Sequence, residues 1–410
     1  MTEQNGIKND LSSRKTLFQQ FARPGLAVSP AAAEQPYRPL DPTAPVHWVH
    51  PKGRHGRGAH SNESGRFEPL ARLPIDDGWG DGWERLEDLP IFKTEVTRET
   101  ARQIVTRNQS PDISFDRSVN PYRGCEHGCA YCFARPTHAY MGLSPGLDFE
   151  SRLFAKPNAA ALLEKELSKP GYQARPMAIG TNTDPYQPIE RTYRITRQVL
   201  EVLSAFQHPV AIVTKSALVT RDMDLLAPMA EKGLVRVALS VTTLERKLAR
   251  AMEPRATAPA KRMEALRLLS AAGIPTAIMV APVIPALNDH EIEKILAGAA
   301  RAGAQFAGFV TLRLPLEIKD LFRDWLESHY PDRATHILSL VRAMHGGKDY
   351  DAQWNRRMRG VGPYAWTIGR RFELAAKRHG LNLNKEPLNC DLFHPPPKKG
   401  DQLSLFEGAG

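Results

Sequence analysis

The stretch Asn120-Pro121-Tyr122-Arg123-Gly124-Cys125-Glu126-His127-Gly128-Cys129-Ala130-Tyr131-Cys132-Phe133 gathers three of the chain's four cysteines in one short loop. A cubane iron–sulfur cluster has four irons, and Cys125, Cys129 and Cys132 offer thiolates for only three of them. The last iron is left open to a ligand that is not protein, much as a catalytic zinc keeps one position free. Such a cluster serves chemistry on a bound molecule rather than electron storage. Gly124 and Gly128 suit a loop wrapped tightly round it, because glycine reaches backbone conformations that other residues avoid. The same thiols with His127 or His138 would form a structural zinc site. Zinc sites usually pair two C-x2-C hooks, however, and the sequence has no second hook. Cys390, near the C-terminus, reads as an ordinary free thiol.

Around this loop, short apolar runs alternate with amphipathic ones. Ser118–Tyr122, Met177–Thr181, Val210–Thr214, Val235–Thr242, Thr276–Val283 and Phe306–Arg313 read as strands. Ile195–Phe206, Asp222–Glu231, Ala260–Ala272, Glu291–Ala302 and Leu316–Glu327 read as helices. Alternation of this kind predicts an α/β fold on a parallel sheet, since parallel strands need crossover connections. Near-continuous apolar strands such as Val210-Ala211-Ile212-Val213 suit a sheet covered on both faces. Residues 115–330 therefore form the expected core. Before it lie a basic, proline- and glycine-rich extension, 1–75, read as largely flexible, and a segment, 76–114, whose Trp79 and Trp83 pack on the core. After it come a basic helical region, 331–392, and a flexible tail, 393–410. Within the extension, Lys52–Ala59 is a glycine-rich basic tract able to lie along phosphates.

The chain has 410 residues, long enough for a large domain with extensions, and a formal net charge of +10 that favours a polyanionic partner. Four cysteines exclude a disulfide scaffold and fit a reducing cytoplasm. The N-terminus lacks a signal-peptide pattern. The most apolar stretch, Ala271–Leu287, contains Pro275, Pro282 and Pro285, which argues against a membrane helix. A soluble cytoplasmic protein with no membrane partner is expected.

The spacing C-x3-C-x2-C, with an aromatic residue before the last cysteine, resembles the radical S-adenosylmethionine (radical SAM) superfamily. The resemblance implies a curled, incomplete barrel of six β/α units, a partial (β/α)6 barrel. It implies a [4Fe–4S] cluster whose open iron is chelated by the amino and carboxylate groups of S-adenosyl-L-methionine (SAM). It also implies an electron donor: one electron from the reduced cluster splits a C–S bond of SAM, and the 5′-deoxyadenosyl radical abstracts hydrogen from substrate. Over roughly residues 55–390 the chain resembles the radical SAM proteins related to spore photoproduct lyase, often described as DNA-repair-photolyase-like. The residues that carry this are Gly56–Ala59 with Ser61-Asn62 and Arg66-Phe67, Asn120–Cys125, Thr183–Pro188, Thr214-Lys215-Ser216 and Glu253-Pro254-Arg255. Spore photoproduct lyase places a hydrogen-donating cysteine just after its second strand, and Gly180–Asp184 contains none. Its thymine-dimer reversal is therefore not carried over; Tyr186 is a nearby residue able to relay a hydrogen atom.

Ligand groups gather at the C-terminal ends of parallel barrel strands. By the resemblance, Thr181 and Asp184 fall where the SAM amino group binds, and Lys215 is placed to neutralise a carboxylate. Ser240 offers a hydroxyl to the ribose, and Arg255 can pair bidentately with the methionine carboxylate. Each also has a structural reading, such as the proline-set turn at Asp184-Pro185.

In the tail, Gln402-Leu403-Ser404-Leu405-Phe406 resembles the peptide by which bacterial polymerases and repair proteins dock on the sliding clamp. Leu403, Leu405 and Phe406 can fill a hydrophobic groove while Gln402 fixes register; alternatively the tail folds back on its own domain. The leading expectation is a lyase-like radical SAM enzyme abstracting hydrogen from a nucleic acid, taken to be DNA, in repair or base modification. Basic tracts at Arg54–Arg57 and Arg356–Arg371 would track phosphates, with Trp354, Tyr364 or Trp366 for stacking. The alternatives are a radical SAM modifier of a protein or small molecule, and a non-catalytic, metal-stabilised nucleic-acid-binding module.

Overall fold

Two short strands, β1 (Glu95–Arg98) and β2 (Val105–Arg107), precede β3 (Arg117–Val119) and β4 (Tyr122–Arg123) in the computed structural model. It describes residues 56–68, 93–383 and 386–397. After the cysteine loop come α1 (Asp148–Ser151), β5 (Arg152–Ala155) and α2 (Ala159–Leu167). Then β6 (Met177–Ile179) leads to α3 (Glu190–Tyr193) and α4 (Ile195–Ala205), and β7 (Val210–Thr214) to α5 (Met223–Glu231). β8 (Val235–Ser240) leads to α6 (Arg246–Met252) and α7 (Pro259–Ala271), and β9 (Thr276–Val283) to α8 (Ile292–Arg301). Finally β10 (Phe306–Thr311) precedes α9 (Ile318–His329), α10 (Pro331–Met344) and α11 (Gly362–Arg378).

The main sheet has the order β10-β9-β8-β7-β6-β3-β2. The six strands expected from sequence are its parallel members, and β2 adds an antiparallel edge on β3. Neither edge strand closes onto the other, so the barrel is partial. Along β8, Val235, Val237 and Leu239 are buried against the covering helices, and Ala238 is buried on the opposite face. Helix α4 covers one flank with Ile195, Thr196, Val199, Leu200 and Leu203, spaced at helical intervals along one face. Each large apolar side chain buried this way contributes about 1.5–3 kcal/mol before entropy is counted.

The expected strand Ser118–Tyr122 is in fact two. Pro121 lacks a ladder N–H, so the chain leaves the barrel at Val119 and joins a second sheet at Tyr122. That sheet, β1-β5-β4, was not legible in the sequence because β1 is mostly exposed and polar. The extension 1–75 also needs correction where it is described. Arg57, Ala59, His60 and Ser61 are buried, and Gly58 lies against Gly128 of the cysteine loop, so Arg57–Ser61 packs on the core, while Glu63, Arg66 and Phe67 further on are exposed. Lys52–His55, Trp79, Trp83 and the Gln402–Phe406 peptide lie outside the described residues. Among those described, no helix is long and apolar enough to cross a membrane.

Candidate active site

The cysteine loop leaves β4 at the C-terminal end of the parallel strands. Gly124 and Gly128 both take positive φ, 72° and 66°, and a side chain at Gly128 would strike Glu150 Oε2 at 2.5 Å. The loop is tied down at each cysteine: Cys125 N–H donates to Phe149 O at 2.9 Å, and Cys132 N–H to Cys129 O at 3.2 Å. Ala130 N–H reaches Met252 O at 2.9 Å. Cys125 and Cys129 are buried and Cys132 is half-buried.

Two buried ion pairs clamp this loop from either side. Glu150 accepts Gly58 N–H at 2.9 Å, Ala59 N–H at 2.7 Å and the Arg135 guanidinium. Arg135 also donates to Cys129 O at 3.0 Å, so the N-terminal segment, α1 and the cysteines share one network. On the other side, Glu253 pairs with Arg262 and accepts the hydroxyls of Tyr131 and Thr242. Burial pushes the Glu253 carboxyl up, but Arg262, Lys215 and these hydrogen bonds outweigh it and hold its pKa at about 2. Neither pair was anticipated, because a charged residue in sequence reads as surface. The one available signal was Arg262 on the inward face of α7 beside Leu266 and Leu269.

A third support is the turn after β6. Asn120 Oδ1 accepts Asn182 N–H at 3.1 Å, and Thr183 Oγ1 donates to Tyr122 O at 3.2 Å. Gln187 is fully buried: its Oε1 accepts Glu126 N–H at 2.9 Å and its Nε2 donates to Gly124 O at 3.1 Å. Tyr186 is also fully buried, with burial driving its phenol well above its usual pKa and the Arg221 guanidinium 5.9 Å from its ring. Enclosed in this way, it does not open onto the mouth, and the hydrogen relay expected of it is not supported.

All five residues expected to contact SAM lie at the cysteine end of the sheet, but in different states. Asp184 accepts the Thr214 hydroxyl at 2.6 Å and Lys215 N–H at 2.7 Å, and His127 Nδ1 lies 3.4 Å away. Its burial favours protonation, yet His127 and these donors hold its pKa at about 2. Arg255 is committed to Glu126 and, at 3.2 Å, to Gly56 O. Thr181 faces Asn120 Nδ2 at 3.4 Å, and Ser240 is buried with its carbonyl accepting from Arg262 at 2.9 Å. Lys215 differs: its Nζ lies 5.7 Å from the Tyr131 ring centre and has no hydrogen-bond or ion-pair partner among the described residues. Burial works to lower its pKa, but Cys129, Glu253 and Asp184 nearby keep it raised and the ammonium charged.

The donor set fits an iron–sulfur cluster. Burial raises all the resolved thiol pKa values, to about 12 at Cys129 and well above the ordinary value at Cys125, where Asp184 and the other cysteines add to the effect. Two neighbouring thiols that resist ionisation, Cys125 and Cys129, require a strongly positive centre to become ligands, which iron supplies. The zinc alternative fares worse. His138 Nε2 is bonded to Arg152 O at 2.9 Å, His127 faces Asp184, and no three such side chains converge on one ion among the described residues.

The radical SAM superfamily model matches residues 119–297, from the end of β3 through most of α8. The chain belongs to the radical SAM superfamily. As a member, it is a radical SAM enzyme, and the family implies SAM and an iron–sulfur cluster as cofactors. The chain is 34% identical over 279 residues to the uncharacterized protein Rv2578c of Mycobacterium tuberculosis, covering 66% of this chain and 82% of that one. It is 28% identical over 240 residues to the uncharacterized protein MJ0683 of Methanocaldococcus jannaschii, covering 58% and 85%. Among solved structures it is similar to spore photoproduct lyase complexed with dinucleoside spore photoproduct, with TM-score 0.49 and 19% identity over 69% of this chain and 78% of that one.

Proposed function

We propose that this radical SAM enzyme acts on a nucleic acid, in the first place DNA, in repair or base modification. The observation that carries the substrate class is the rim beside Cys132. Phe133 is 44% exposed there, and the Arg313 guanidinium carbon lies 4.7 Å from its ring centre and 5.9 Å from that of Tyr350. Arg313 makes no ion pair among the described residues, so its charge is open to a phosphate while Phe133 offers a face to a base. The net charge of +10 acts in the same direction. Part of the expected phosphate track is spent elsewhere: Arg57 is buried on Glu150 O, Arg357 pairs with Asp112, and Arg371 with Glu293. Tyr364, bonded to Asp289 at 2.8 Å, is likewise unsuited to stacking.

Cys125, Cys129 and Cys132 would hold a [4Fe–4S] cluster. Bound there and reduced by an electron donor, such a cluster would supply reductive cleavage of SAM and, through it, hydrogen abstraction from substrate. Lys215, charged and without a hydrogen-bond or ion-pair partner among the described residues, is the side chain best suited to the SAM carboxylate; Thr181 and Ser240 supply hydroxyl acceptors. Asp184 and Arg255 act as positioning residues, fixing His127 and Glu126 within the loop.

Anaerobic reconstitution, followed by turnover with intact and ultraviolet-damaged oligonucleotides, tests this. The expected outcome is SAM cleavage to 5′-deoxyadenosine that rises with one oligonucleotide class, and a changed mass in that DNA. Turnover indifferent to nucleic acid but stimulated by a protein or small molecule would transfer the enzyme to the alternative substrate class.

A further inference from the structure

A cleft of about 290 Å³ opens beside the edge strand β10, lined by Phe309, Arg359, Trp366, Gly369, Arg370 and Glu373 among others. It is one residue from the rim just described. Met358 accepts Thr311 N–H at 2.9 Å through its carbonyl and meets Arg313 at 3.5 Å through its sulfur; Arg359 follows it into the cleft.

Its lining has three features that internal packing leaves unexplained. Helix α11 buries Ala365, Ile368, Phe372, Ala375 and Ala376, while Trp366 on its other side is 70% exposed. An indole ring left in water offers a face on which a base can stack. The Arg359 guanidinium carbon lies 5.0 Å from the Phe309 ring centre with no ion-pair partner among the described residues, and Arg370 reaches only Glu373, at 3.5 Å. Gly369 sits inside α11, where alanine would be favoured by about 1 kcal/mol. A methyl group there would meet only Phe309 Cζ, at an ordinary 3.9 Å, so packing does not demand glycine. What glycine preserves is the open floor of the cleft.

A flat ring beside Trp366 and an anion between two arginines describe one nucleotide. We infer that this cleft is a subsite for a nucleotide flanking the one that reacts, its base stacked on Trp366 and its phosphate held by Arg359 and Arg370. The inference rests on the nucleic-acid reading above, and it makes the Phe133–Arg313 rim and the cleft two stations on one strand.

The test titrates the reconstituted full chain with a fluorescent single-stranded oligonucleotide and, separately, with a mononucleotide. Trp366→Ala and Gly369→Leu should each weaken oligonucleotide binding by about tenfold. Arg359→Ala should lower the salt slope by about one phosphate contact. Thermal melts, iron content and the helix-compatible Gly369→Ala variant control for folding. Oligonucleotide binding that these variants leave unchanged, but that Phe133→Ala weakens, would overturn the subsite and leave the substrate class standing. A wild-type chain that binds no oligonucleotide would overturn both. Equal losses with the mononucleotide would make the cleft a free-nucleotide site and remove the flanking-strand role.

Discussion

A Cβ added at Gly58 would stand 1.7 Å from the Gly128 carbonyl oxygen, far inside any tolerable contact. The N-terminal segment and the cysteine loop therefore touch backbone to backbone, and Glu150 ties them together, accepting Gly58 N–H and Ala59 N–H on one side and pairing on the other with Arg135, which donates to Cys129 O. Gly58→Ala must displace one of the two, at more than the roughly 1–3 kcal/mol of ordinary overpacking. Since the barrel lies elsewhere, the loss should concentrate in the metal site: iron and sulfide per chain after reconstitution should fall several-fold while far-ultraviolet circular dichroism is kept. Wild-type iron content in this variant would show that the contact is not needed. Asp324 gives a second prediction at this scale. Burial, with Glu63, Glu327 and Asp320 nearby, raises its pKa from 3.8 to about 6. The folded state therefore retains a proton between about pH 4 and 6 that the unfolded chain has released, and stability falls as pH rises through that window. Asp324→Asn should stabilise the protein at pH 7.5, by about 1 kcal/mol once solvent screening is allowed for, and do little at pH 4. Equal melting shifts at both pH values would contradict the assignment.

At the scale of elements, the turn joining β6 to α3 works as a bracket for the cysteine loop. Its Gln187 satisfies one donor and one acceptor of that loop, Glu126 N–H and Gly124 O, in a site without solvent. Gln187→Ala strands both, costing about 1–3 kcal/mol for each group left unsatisfied. Lower melting temperature and faster iron loss to a chelator are expected together; a drop in stability with unchanged iron retention would break the link. The sequence showed this turn's position but not its task. The parallel strands were legible because each is a continuous apolar run between helices, a pattern that burial on both faces imposes. The cysteine loop was legible because metal ligation fixes residue type as well as spacing. The supports were not. β1, β4 and β5 are held by backbone pairing, which leaves little trace in side chains, and Gly56–Ala59 reads as solvated when its glycines in fact permit close approach. Arg135, Glu150, Glu253 and Arg262 become recognisable as partners only once the fold places them together.

Across the whole molecule, the last described segment, 386–397, binds the end of the barrel opposite the cysteines. Glu386 O accepts from Arg236 at 2.9 Å, Asn389 N–H donates to Gly233 O at 2.9 Å, and His394 N–H to Phe206 O at 3.2 Å. Phe393 packs against Tyr172, His208 and Phe206, with ring centres 5.3, 5.6 and 6.3 Å away. Gly233 and Phe206 sit just before β8 and β7, so this strap runs under the N-terminal strand ends. The Gln402–Phe406 peptide follows it closely in sequence. We propose, from its resemblance to clamp-docking peptides alone, that this segment binds a bacterial sliding clamp; Leu405→Ala with Phe406→Ala should then abolish that binding, since two apolar anchors worth about 1.5–3 kcal/mol each are removed. Phe393→Ala should act differently, lowering the melting temperature because its ring is part of the fold. Clamp affinity that survives the double substitution, measured by surface plasmon resonance on folded protein, would remove the docking role from the tail.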